Sequence, residues 1–228
     1  LSAFVATMGY SRASYVEYVN NEKIETLIGC HMNAFSYFGG VPHEALYDNM
    51  KTVISKRNAY GYGKHKFNEQ FRDFAQKHCG MVLKVCQPYR AQTKGKVERF
   101  NHYFRYSFHN MFKVRLSMMG YKMTLENANA AVMDWLDFTA NARIHQTTLH
   151  RPFDLLAEEQ LQLLPLPKTY HGIHPIKATA KSVTQDSQTS NRITLHIPTR
   201  DLQSYDQFIP MLAYIVLPVY SLGGALWH

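Results

Sequence analysis

Residues 87–111, QPYRAQTKGKVERFNHYFRYSFHNM, decide how the rest of the chain is read. An extended Pro88-Tyr89-Arg90 run and a polar, glycine-containing loop lead into a helix predicted to start near Lys94. From there Val97, Phe100, Phe104, Phe108 and Met111 recur at the three-and-four spacing of a buried stripe, while Lys94, Glu98, Asn101, His102 and Arg105 share the adjoining side. Glu98 is the single acid of the stretch and lies one position from the core-facing Val97. Its carboxylate is therefore expected at the rim of a packed core, a position that suits a metal-binding acid.

The 228-residue chain carries a net charge of +8, which favours a polyanionic partner. Where the charge sits says more than the total. Residues 1–80 hold nine Lys and Arg against seven Asp and Glu, residues 81–115 eight against one, and residues 116–228 eight against nine. Almost the whole excess thus falls on and around the opening stretch, at Lys84, Arg90, Lys94, Lys96, Arg99 and Arg105. A charge run is ordinarily a solvated helix face. Here the concentration and the interleaved Tyr89, Asn101, His102 and Tyr103 favour phosphate contacts and base stacking, with no implication that particular bases are read.

With 46% hydrophobic residues the chain can bury a sizeable core, and its length suits one domain with an appendage. Cys30, Cys79 and Cys86 form no Cys-x-x-Cys pair and leave an odd number, which argues against a disulfide framework or a structural zinc and for a reducing, cytoplasmic setting. The histidines show no metal-ligand spacing and read mostly as surface or loop residues. No G-x-S-x-G is present, and Cys86 falls in a buried strand, so a Ser or Cys nucleophile is unsupported. The chain opens on Leu1 inside an apolar run, with no signal peptide, and reads as cut from a longer protein.

In order, residues 1–8 and 14–19 form a hairpin, and residues 20–38 a helix capped by Asn20 or Asn21 and stopped by Gly39-Gly40. Residues 42–47 form a short strand ending in Asp48-Asn49, followed by a basic segment and a Tyr- and Gly-rich loop. A short helix over 68–77 and a strand over 81–86 precede the opening stretch. Further helices are expected over 125–143 and from Pro152 onward. Residues 168–191 read as linker, and 192–197 (RITLHI) as a strand of a small β appendage. Residues 207–227 hold no charge over a membrane-spanning length of about 20, but Pro210, Pro218, Gly223 and Gly224 interrupt them, so no span is assigned.

Asp48 joins Glu98 as a candidate. Taken alone, Asp48-Asn49 after a strand is a turn, and a lone Glu in a basic helix is a partner for Lys94 or His102 one turn away. Together, two carboxylates at neighbouring element ends within positive charge suit a hard cation such as Mg2+ and phosphoryl transfer.

The runs FVATMGYSRASYVEYV, LYDNMKT and PYRAQTKGKVERFN, with NARIHQTTLHRP, resemble the catalytic core of bacterial insertion-sequence transposases of the IstA type, among the retroviral-integrase-like DDE recombinases. The likeness covers about residues 1–165. It implies an α/β, RNase H-like fold with three carboxylates holding Mg2+ or Mn2+ in a two-metal site. It also implies cutting and joining of transposon DNA ends, a transposase multimer and an AAA+ ATPase helper. Asp48 then matches the second acid and Glu98 the third, with Asn49, Lys51, Lys94 and Arg99 as neighbours of the metals or DNA; on charge and placement Lys96, Arg90, His102 and Arg105 join the DNA set and Asn101 supports the acids.

The first acid of that family lies on a strand before the residue 1–19 hairpin, and here no acid precedes Glu17. The expectation is a core over 1–115 lacking its first strand, a helical end over 116–165, and a linker and degenerate region over 166–228. A sheet without that central member would expose apolar edges, with weak or no catalysis. The alternatives are an inactive remnant that binds DNA or a transposase partner, and an RNase H-type nuclease.

Overall fold

The computed structural model describes residues 1–48, 50, 52–59, 61, 63, 65–86, 91–173, 215–217 and 220–221. Strands β1 (Ser2–Thr7) and β2 (Ser14–Val19) form the expected antiparallel hairpin, in register from Ser2 opposite Val19 to Thr7 opposite Ser14. Their side chains are apolar on both faces. Phe4, Ala6, Tyr15 and Val19 join one core cluster, and Ala3, Val5, Val16 and Tyr18 join another. A strand buried on both sides needs a layer of helices on each.

Helix α1 (Ile24–Phe38) lies on the first face. Its entry is tied by Asn21, whose side-chain oxygen accepts from the Lys23 amide at 3.1 Å and the Thr26 hydroxyl at 2.6 Å. Gly39 ends the helix in the left-handed region at φ 83°, and at Gly40 a Cβ would stand 2.6 Å from Leu163 Cβ and 2.9 Å from the Leu164 carbonyl oxygen. Only a glycine lets these two segments approach so closely.

Strand β3 (Glu44–Tyr47) follows, and then β4 (Ile54–Lys56) and β5 (Lys66–Phe67) make a small antiparallel ribbon where the sequence suggested only a basic segment and a loop. Helix α2 (Glu69–Arg72), capped by Asn68, widens into a π-helical segment, Asp73–His78. Strand β6 (Val82–Val85) pairs parallel to β3. Helix α3 (Ala91–Phe104) begins before the expected Lys94 and continues through a π-helical segment, Arg105–His109, into α4 (Asn110–Met118).

That wider turn corrects the predicted stripe. Val97, Phe104 and Phe108 are buried as expected, but the extra residue per π turn shifts the phase, so Phe112 takes the buried place and Met111 is 48% exposed. Helix α5 (Leu125–Trp135) starts at a Thr124–Asn127 capping box, and α6 (Pro152–Gln160) starts on Pro152. Helices α3 to α5 cover the second face, while α2 and α6 join α1 on the first. Past α6, Tyr170 is buried against Phe74, with its hydroxyl 3.2 Å from the Asp73 carboxylate.

The two last strands correct the expectation of an open sheet centre. β7 (Ile215–Leu217) pairs parallel with β3, and β8 (Tyr220–Ser221) pairs antiparallel with β1. β7 also lies against β1, so the strand order reads β2, β1, the β7–β8 segment, β3, β6. The RITLHI run at 192–197 lies outside the described residues.

Candidate active site

Strands β3 and β6 are parallel and end at the same edge of the sheet, where open α/β sheets place their sites. The Cys86 amide donates to the Tyr47 carbonyl at 2.9 Å, which locks the two strand ends together. Around these strand ends Leu46, Cys86 and Val97 form a small buried cluster of their own. Asp48 lies two residues after Leu46, and Glu98 is the residue after Val97. The cluster therefore packs the residue before Glu98 against the strand that leads to Asp48.

Asp48 is half-buried, and its carbonyl accepts from the Met50 amide at 2.7 Å in a tight turn. The turn reading and the metal reading are thus compatible, because the backbone makes the turn. Glu98 is exposed, further into solvent than the expected rim position. One residue rotates a helix by about 100°, enough to carry it from the wholly buried Val97 out to the surface.

Tyr47, just before Asp48, is pinned by His31 of α1. The Leu27 carbonyl can only accept, so His31 Nδ1 donates to it at 2.6 Å and Nε2 accepts from the Tyr47 hydroxyl at 2.9 Å. Phe4 and Phe71 stand edge-on to the imidazole, with ring centroids at 5.1 and 5.3 Å. Burial pushes His31 down to about 4, against a smaller upward pull from its bond to Leu27, and burial raises Tyr47 well above the usual tyrosine range. Reading the histidines as mostly surface residues missed this pair. The available signal was spacing, since His31 falls between Leu27 and Phe35 on the apolar stripe of α1. His109 is likewise buried, 2.9 Å from the Tyr18 hydroxyl, and burial lowers its pKa with help from Lys113 and Arg105.

Along α3 the structure brings part of the predicted set together. Arg99 is half-buried, Arg105 is exposed, and exposed His102 packs on Tyr106 at a 40° tilt with centroids 4.4 Å apart. Tyr106, 58% exposed, was not singled out from the sequence although it lies one turn from His102. Tyr103 is no stacking face for bases, because its ring is buried against Trp135 and covered by the Arg143 guanidinium at 3.9 Å. Lys94 and Lys96 lie on the described helix backbone, whereas Asn49, Lys51 and Arg90 lie outside the described residues.

Among the described residues no three His, Cys, Asp or Glu side chains converge on one point. Asp48 and Glu98 remain two hard oxygen donors, which fits Mg2+, an ion usually held by one or two carboxylates with water and phosphate completing the shell. Asn101, one turn from Glu98, has both amide atoms enclosed without a hydrogen-bond partner among the described residues. Cys30, Cys79 and Cys86 are buried and none of them is in a disulfide among the described residues.

A Geobacillus stearothermophilus protein named as a transposase for insertion sequence element IS5376 is 42% identical over 168 residues, covering 73% of this chain and 38% of its own length. The Pseudomonas aeruginosa transposase for insertion sequence element IS21 is 33% identical over 165 residues, covering 72% of this chain and 40% of its own length. The chain belongs to the insertion-sequence transposases. The chain spans about two fifths of the length of those relatives. No family model matches it. Among solved structures, a chain of the simian T-cell lymphotropic virus intasome in complex with the PP2A regulatory subunit B56 gamma aligns at a TM-score of 0.48 and 16% identity, covering 71% of this chain and 49% of that one. The chain has no helix among its described residues long and apolar enough to cross a membrane.

Proposed function

We propose that this chain is part of an RNase H-like transposase core that cuts and joins transposon DNA ends by metal-dependent phosphoryl transfer, with Asp48 and Glu98 as two of its metal-binding carboxylates. The observation that supports this is the Leu46–Cys86–Val97 cluster, in which the residue before Glu98 packs against the strand leading to Asp48, in a chain related to insertion-sequence transposases. A bound Mg2+ or Mn2+ would supply activation of an attacking water or DNA 3′-hydroxyl and neutralisation of phosphate charge.

The chain's own residues bind and position. Asp48 and Glu98 hold the ion, Asn101 orients Glu98 or a water beside it, and the His31–Tyr47 bond fixes the strand end that carries Asp48. Lys94, Lys96, Arg99 and Arg105 track the phosphate backbone, and the His102–Tyr106 pair offers a stacking face. Lys51 and Arg90 extend this surface, and Asn49 supports Asp48. The third carboxylate is assigned to a strand preceding β1, so the chain by itself is proposed to be inactive. The assembled enzyme would be a multimer on transposon ends and target DNA, with an AAA+ ATPase helper.

Metal-dependent strand transfer, measured in a protein extended to the length of the relatives, tests the proposal. Asp48→Asn and Glu98→Gln should each cut activity by at least about a hundredfold; activity unchanged in either would sink the assignment. The absence of a three-acid cluster among the described residues favours one second reading, a module that only binds DNA. In that case binding survives Glu98→Ala and strand transfer never appears in the extended protein.

A further inference from the structure

Strands β1 and β3 do not pair with each other; the C-terminal β7–β8 segment lies between them. Ala45, Leu46 and Tyr47 register with Ile215, Val216 and Leu217 in parallel, and Ser2 and Ala3 register with Ser221 and Tyr220 in antiparallel. The sequence suits the place. The paired runs and the residues between them read IVLPVYS, rich in β-branched and aromatic side chains, and no charge occurs anywhere in 207–227. Such a run is at home between two strands of a sheet covered on both faces and is costly in water. The neighbours need such a partner, because Ala3, Phe4, Val5, Ala45 and Tyr47 are all buried and would make two apolar edges if the slot were open.

We infer that the uncharged C-terminal runs Ile215–Leu217 and Tyr220–Ser221 are self-supplied strands that close the slot between β1 and β3 against any other strand. The pairing stands independently of the proposed chemistry, and its consequence for that chemistry rests on it. Leu217 registers with Tyr47, the residue before Asp48, so the strand running up to the acid-bearing edge brings no carboxylate there. On the proposed function, the self-filled slot leaves that edge with Asp48 and Glu98 as its acids among the described residues. A strand bearing an acid enters only by displacing this one.

Two measurements on the full chain decide the matter. Ser2→Cys with Ser221→Cys makes a near-isosteric pair at opposed Cα positions, within reach of a disulfide. Under mild oxidation a disulfide between residues 2 and 221 within one chain is expected, read by peptide mapping. A link between two chains would overturn the inference, since the slot would then be filled by a second copy, and so would no link at all. In the unsubstituted chain, amide exchange at residues 215–217 should be at least about a hundredfold slower than in an unprotected peptide. Exchange at the unprotected rate would overturn it independently of the cysteine variants. Loss of strand transfer in Asp48 or Glu98 variants bears on neither result, so the two proposals fail separately.

Discussion

Lowering the pH should unfold this protein partly through His31. The imidazole is neutral and buried in the folded chain, its pKa pushed down to about 4 from an ordinary 6.5. Between those values the unfolded chain binds a proton that the folded chain refuses, so stability rises with pH across the window. The contribution is fully present above about 6.5, declines as pH falls toward 4, and is gone below that. A displacement of this size amounts to about 3 kcal/mol, a large share of the stability of a typical domain.

The assay is urea unfolding at steps from pH 7.5 to pH 4, comparing the unsubstituted chain with His31→Phe/Tyr47→Phe. The double variant removes both partners of the 2.9 Å bond and leaves no orphaned hydroxyl. Carboxylates titrating below about pH 5 act in both proteins and cancel. The unsubstituted chain should lose about 3 kcal/mol more than the variant over the range. Equal losses would refute the buried, neutral assignment. At pH 7.5 His31→Phe alone should cost more than the double variant, because it strands the Tyr47 hydroxyl in the core.

Other substitutions probe separate parts of the frame. Asn141→Ala removes bonds to the Ser14 amide at 2.9 Å, the Ser14 carbonyl at 2.8 Å and the Tyr37 hydroxyl at 2.9 Å, and should cost about 3 kcal/mol by urea unfolding. Gly40→Ala drives a methyl group against Leu163 and the Leu164 carbonyl and should cost about 1–3 kcal/mol, seen as a fall in Tm. For DNA, Lys94→Ala, Lys96→Ala and Arg99→Ala should each weaken binding evenly across sequences and flatten the log affinity against log salt plot by about 0.9 per lost phosphate contact.

The hairpin, α1 and its Gly39 stop were legible because periods of 2 and 3.6 and a left-handed cap are local signals. Asp48 and Glu98 each read alone as a turn or a helix ion partner; their pairing was drawn from two acids set in positive charge and from the family resemblance, and it stands as a proposal. What stayed hidden was long-range. Asn141 closes on Ser14, and Glu159 accepts from the Tyr10 and Ser11 amides at 3.3 and 3.0 Å, so the β1–β2 turn is held by residues near the other end of the described core. No window of sequence contains both partners. The π-helical segment after Phe104 also defeats a strict 3.6 count, which is why Met111 was placed in the core and Phe112 was not. The partners of β7 could not be read either. A short apolar run fits many slots, and which strands flank it depends on the rest of the sheet.

The most direct test of the central claim, that Asp48 and Glu98 share one metal ion, is Mn2+ binding in the presence of short duplex DNA, followed by electron paramagnetic resonance. The unsubstituted chain, Asp48→Asn, Glu98→Gln and the double variant form a thermodynamic cycle. If the acids share an ion, each single change weakens binding by at least about tenfold and the double change does little more. Binding unchanged in either single variant, or effects that add in the double, would contradict the claim.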